Sequence, residues 1–183
     1  FSSTVPKSFT ISSACVTVVE GTTVSPKTVV GVLKKNEEIR QNFSCNDKYL
    51  EGISILPATY EKIADDKFKF SVLDDTGDCI AEKEVSGAEF GDVQEYTVEF
   101  DQMIELKKGE TYTLVITELS DAANPSTFYY GDSINLARGE VTKEYTKTNS
   151  IYVNGNRLDA ELYLKTKGVN PIWLGHHYWQ VMG

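Results

Sequence analysis

Residues 50–85 read LEGISILPATYEKIADDKFKFSVLDDTGDCIAEKEV, and the fold follows from how this stretch is parsed. It divides into three extended segments separated by polar breaks. In the middle segment Phe68, Phe70 and Val72 alternate with Lys67, Lys69 and Ser71. A period of two sets the first three on one face of a sheet and the others on the opposite face. Asp74-Asp75-Thr76-Gly77-Asp78 then turns the chain, with glycine where a positive φ is needed. The stretch is a β-meander.

The same grammar extends in both directions. Residues 1–14 are rich in Ser and Thr and read as a lead-in arm. Cys15–Val19 and Thr28–Leu33 are short β-branched runs, and Glu37–Cys45 is a strand marked by Ile39 and Phe43. Downstream, Tyr96, Val98 and Phe100 alternate with Thr97, Glu99 and Asp101, and Tyr112, Leu114 and Ile116 with Thr113, Val115 and Thr117. Phe128-Tyr129-Tyr130 and Ile134–Leu136 are short strand candidates. Ile151-Tyr152-Val153 followed by Asn154-Gly155 is the strongest hairpin signal in the chain. Leu158, Ala160, Leu162 and Leu164 form an apolar face opposite Asp159, Glu161, Tyr163 and Lys165. Helical periodicity is nearly absent; residues 61–66 and 101–106 hold at most one turn each. Short strands spaced about eight to twelve residues apart indicate a sandwich. The expected architecture is one all-β domain over residues 15–169, an antiparallel two-sheet β-sandwich, followed by an aromatic segment at 170–183.

The chain has 183 residues, 40% apolar and 25% charged, which suits a single domain with a real core. Its formal charge of −9, with 18 scattered Lys and Arg, excludes a nucleic-acid backbone binder, which needs clustered cations. No apolar run approaches the ~20 residues that span a bilayer, and the start, Phe1-Ser2-Ser3-Thr4, has no signal-peptide character. A first residue other than Met points to a processed protein or, preferably, an excised piece of a longer one. Cys15, Cys45 and Cys79 form no CxxC pair, which excludes a zinc knuckle or redox motif. One disulfide plus a free thiol and three partly buried thiols both remain open.

Several blocks resemble a family of jelly-roll domains related to carbohydrate-binding modules. They are Gln41-Asn42-Phe43, Leu50-Glu51-Gly52-Ile53-Ser54, Ala58-Thr59-Tyr60, Lys108-Gly109-Glu110-Thr111-Tyr112 and Val153-Asn154-Gly155, and they span most of residues 37–166. The resemblance implies a jelly-roll, galactose-binding-like topology. It also implies a place outside the membrane in a bacterial envelope or glycan-synthesis protein. Sugar sites of such domains lie on a sheet face or at loop ends; the fold alone assigns none.

A sugar ring is held by a flat aromatic surface edged with amide, carboxylate or guanidinium groups. The candidate ligand-binding set is Tyr129, Tyr130, Asp132, Tyr152, Asn154 and Arg157, with Tyr145 and Asn156 nearby in sequence. Tyrosine offers an apolar face and a hydroxyl; the competing reading is that these rings are cross-strand pairs holding a sheet. Asp74, Asp75 and Asp78, or Asp159 with Glu161, could offer oxygens to calcium, but neither set has the pattern of a calcium loop, and no cofactor is assigned. His176 and His177, the only histidines, point to opposite sides of any strand and make a poor metal pair. No nucleophile elbow and no HExxH motif is present, so the chain reads as non-catalytic. A glycan hydrolase, which needs two facing carboxylates, is the third-ranked alternative. Both tryptophans fall in the last segment, where Trp173, Tyr178 and Trp179 are candidate interface residues. They read either as an aromatic belt beside a membrane-spanning continuation, as a partner platform, or as a last strand packed on the sandwich. The leading expectation is a module that binds or positions a carbohydrate, with a purely structural or protein-interaction domain as the alternative.

Overall fold

The structure, a computed structural model, describes residues 15–17, 22–135, 140–141, 151–158 and 160–169. It is nearly all β. The strands are β1 (Cys15–Thr17), β2 (Thr22–Val29), β3 (Glu38–Phe43), β4 (Tyr49–Ile55), β5 (Pro57–Ala58), β6 (Lys67–Leu73), β7 (Cys79–Ser86) and β8 (Tyr96–Glu105). They continue as β9 (Tyr112–Glu118), β10 (Thr127–Asn135), β11 (Glu140–Val141), β12 (Ile151–Val153), β13 (Asn156–Leu158), β14 (Glu161–Leu162) and β15 (Leu164–Val169). One sheet runs β13-β12-β3-β9-β6-β7 and a second β1-β15-β4-β8. A third is built on β10, which pairs with β2, β5, β11 and β14. Every pairing among the described strands is antiparallel.

The alternation in β6 produces the centre of the core. Phe68, Phe70 and Val72 are fully buried, whereas Lys67 is exposed. Phe128 of β10 meets Phe68 edge-on at 5.0 Å and Phe70 at 6.1 Å. Phe90 stacks on Phe68 at 6.0 Å and meets Tyr96 of β8 at 5.0 Å. These rings therefore join all three sheets, and one apolar cluster takes in Ile39, Leu114 and Ile116 on one side and Ile53, Val98, Leu162 and Leu164 on the other. Burying each large apolar side chain contributes about 1.5–3 kcal/mol, with a further increment for well-placed aromatic pairs.

The turns follow the expected chemistry. Asp74 Oδ1 accepts from the Thr76 amide at 2.9 Å, the Thr76 hydroxyl at 2.6 Å and the Asp78 amide at 2.9 Å. Gly77 supplies the positive φ, +87°. The carboxylate of Asp74 is thus spent on its own turn, and the Thr76 hydroxyl bond holds its pKa below the ordinary value.

Four expectations are corrected. Residues 101–105 are strand, not a helical turn. Leu50 pairs with Ile104 and Gly52 with Glu99, so four residues of β8, Phe100–Met103, oppose Glu51 alone. That bulge exposes Asp101, Gln102 and Met103 in succession and erases the period of two. Among the described residues a helical turn forms instead as a short 3-10 segment, Gly87–Glu89, capped by the Ser86 hydroxyl accepting from the Ala88 amide at 3.3 Å. Second, β2 starts at Thr22 and runs through Pro26, which faces Gly131 at a register shift in the β2–β10 ladder; a bulge tolerates the missing N–H. Third, β3 ends at Phe43, leaving Cys45 in the following loop. Fourth, Glu161 is buried rather than outward-facing, and this burial pushes its carboxyl up to about 8. The lead-in arm and the aromatic segment at 170–183 lie outside the described residues.

Candidate functional site

The Asn154-Gly155 hairpin builds one exposed constellation. Asn154 and Gly155 have φ of +50° and +79°, the pair of positive values that a two-residue turn between twisted strands requires. The turn is clamped to the neighbouring strand. Asn154 Oδ1 accepts from the Glu38 amide at 2.9 Å, and the Asn154 amide donates to the Glu38 carbonyl at 2.9 Å. Register is thereby fixed: Tyr152 lies directly opposite Arg40 of β3 on one side and Arg157 of β13 on the other.

Burial decides which way this row points. Ile151 is fully buried and Val153 packs against the core, so Tyr152, between them, faces away from it with 37% of its surface exposed. Cross-strand partners stand with Cβ atoms about 4.5–5.5 Å apart, and the tyrosine is therefore flanked by two arginine stems. Arg40 Nε donates to Glu38 Oε1 at 2.8 Å, which ties that guanidinium to a carboxylate of its own strand. The row thus sets an exposed aromatic residue between two residues whose planar donor groups suit hydroxyl or carboxylate oxygens.

The structure brings together Tyr152, Asn154 and Arg157, with Asn156 opposite Val153 at the hairpin end. It does not bring the other predicted residues to them. Tyr129 and Tyr130 stand on β10, in a different sheet. Tyr130 faces Thr28 and Leu162 and packs against the core cluster. Tyr129 is half-buried; its amide donates to the Leu56 carbonyl at 2.9 Å and its carbonyl accepts from the Tyr163 amide at 3.0 Å. The Asp132 backbone pairs with Ser25, and its side chain lies outside the described residues, as do Tyr145, Trp173, His176, His177, Tyr178 and Trp179. Arg40 and Glu38 escaped the sequence reading because nothing local links residue 40 to residue 152.

Among the described residues, no group of three or more His, Cys, Asp or Glu is placed to hold a metal ion. Cys45 is a buried free thiol and Cys79 an exposed one, and burial pushes the Cys45 thiol up. Among the described residues no helix is long and apolar enough to cross a membrane.

The chain matches no protein-family model and no curated protein sequence.

Proposed function

We propose that this chain is a non-catalytic β-sandwich module of jelly-roll topology that binds or positions a glycan, displayed outside the membrane as part of a larger bacterial envelope protein. The observation that carries the reading is the placing of Tyr152 between its cross-strand partners Arg40 and Arg157, on a surface turned away from the core. A pyranose ring laid on Tyr152 meets donors on both sides, an arrangement that supports weak, reversible recognition without a deep cleft. The sandwich reading is supported by an apolar cluster to which the three sheets contribute. The test is calorimetric titration across hexoses and surface polysaccharides, with Tyr152→Ala as the paired variant. Binding that disappears in the variant while its thermal unfolding is unchanged supports the reading; no heat at millimolar sugar from any glycan sinks it.

A further inference from the structure

The strand at the far end of the Tyr152 sheet carries a different inference. β7 is bonded to β6 along one side, and among the described residues no strand pairs with its other side. The edge of the second sheet, β8, runs nearby, tied to β7 by the Lys83 ammonium donating to Asp101 Oδ1 at 2.6 Å. On either side of that tie lies an open groove. The larger, about 490 Å³, is floored by Ile80, Phe100 and Ile104 and rimmed by Asp101 and Glu105, and it opens where the β8 bulge pushes outward. The smaller, about 320 Å³, has Glu89 and Glu99 on its walls.

An unpaired strand edge recruits either its own copy or a foreign segment. The charge pattern of β7 argues against its own copy. With the outer sheet faces kept continuous, two β7 strands meet about a two-fold axis passing through a residue. An axis at Lys83 sets lysine on lysine and Glu82 on Glu84. An axis at Glu82 or Glu84 sets glutamate on glutamate. Every central register thus opposes like charges, which is destabilising. Glu82 and Glu84 do face cations within their own sheet, Lys69 at 4.0 Å and Lys67 at 2.8 Å, but those lysines stand on the β6 side. Glu99 is paired with Lys167 at 2.5 Å.

We propose that this edge of β7, unpaired among the described residues, takes up an extended basic polypeptide segment as an added strand. Alternate Lys or Arg residues of that segment lie opposite Glu82 and Glu84, and the apolar side chain next to them, opposite Ala81, enters the groove over Ile80, Phe100 and Ile104. Main-chain hydrogen bonds supply affinity, and the glutamate row supplies the preference for basic segments. This surface is separate from the Tyr152 site and does not depend on the glycan reading.

The test uses the whole chain, isotope-labelled, with two capped peptides the length of β7: one alternating lysine with valine, the other with glutamate in place of lysine. The lysine peptide is expected to bind, to move amide signals within residues 79–86 and 99–105, and to leave those around Tyr152 in place. Charge reversal in Glu82→Lys/Glu84→Lys should weaken it roughly tenfold or more and admit the glutamate peptide. The neutral Glu82→Gln/Glu84→Gln pair, which tests the point should the reversal unfold, should fall between. Tyr152→Ala should leave peptide binding unchanged, so failure of the glycan reading leaves this one standing. No binding at millimolar peptide, shifts outside those two segments, or a preference indifferent to charge reversal each overturns the proposal. So does concentration-dependent dimerisation through β7, which would make a second copy the occupant.

Discussion

Gly87 lies against the carboxylate of Asp66: a β-carbon built at residue 87 would stand 1.8 Å from Asp66 Oδ1. Asp66 cannot step aside. Its Oδ2 accepts from the Ser126 amide at 2.5 Å and from the Ser126 hydroxyl at 2.9 Å, and its own carbonyl accepts from the Gly87 amide at 2.8 Å. Gly87→Ala is therefore expected to cost about 1–3 kcal/mol through overpacking. It should lower the urea midpoint without changing the slope. Asp66→Ala/Gly87→Ala should cost less than the sum of the single changes, because the first removes the atom the second strikes. Strict additivity would mean the two residues do not clash.

Glu161 gives the pH dependence a definite sign. Its folded pKa of about 8 lies above the ordinary value of 4.5. The folded state consequently holds a proton that the unfolded chain releases, and stability falls as pH rises between those two values, then levels off. Burial raises the pKa of Asp66 and of Glu118 in the same direction, so the comparison must isolate one group. Glu161→Gln should be more stable than the parent at pH 8 and gain little at pH 4. Unfolding free energies measured across that range check it; an equal difference at both ends would refute the assignment.

Tyr130 and Tyr152 should separate stability from recognition. Tyr130 packs against the core cluster while Tyr152 faces away from it. Tyr130→Ala is expected to destabilise by about 2 kcal/mol or more, and Tyr152→Ala by less than about 1 kcal/mol. Thermal unfolding of the two variants side by side is sufficient. A Tyr152→Ala loss as large as that of Tyr130→Ala would show that its ring is structural.

Gly155 is a purely conformational position. A β-carbon there would meet nothing within 4 Å, yet φ is +79°. Gly155→Ala should cost about 1 kcal/mol from backbone strain alone. Any affinity resting on Arg157 should fall with it, because the turn sets the opposition of Tyr152 and Arg157. Unchanged stability and unchanged binding would together disprove this.

What could be read from the linear chain was whatever is written in residues close together. The alternation of Phe68, Phe70 and Val72, the glycine turn at 74–78 and the Asn154-Gly155 hairpin all express local backbone chemistry, and the structure carries each of them. The β8 bulge and the Pro26 register shift hid strands by breaking the period locally. The candidate site was only half legible for a related reason. Tyr152, Asn154 and Arg157 share one hairpin, but the Arg40 partnership exists only because β12 docks on β3. In the same way Tyr129 and Tyr130, adjacent in sequence to each other, belong to a sheet apart from Tyr152.

The order β1-β15-β4-β8 places the last described strand between the first strand and the fourth. A sheet wired this way is a problem of timing. During synthesis β4 and β8 can pair early, but the other flank of β4 waits until residues 164–169 have emerged. The two strands stand more than half the chain apart in sequence, a long-range pairing of the kind that slows folding. Completion of this sheet therefore waits for β15, and a chain cut short before Leu164 would expose the flank of β4 as a sticky edge.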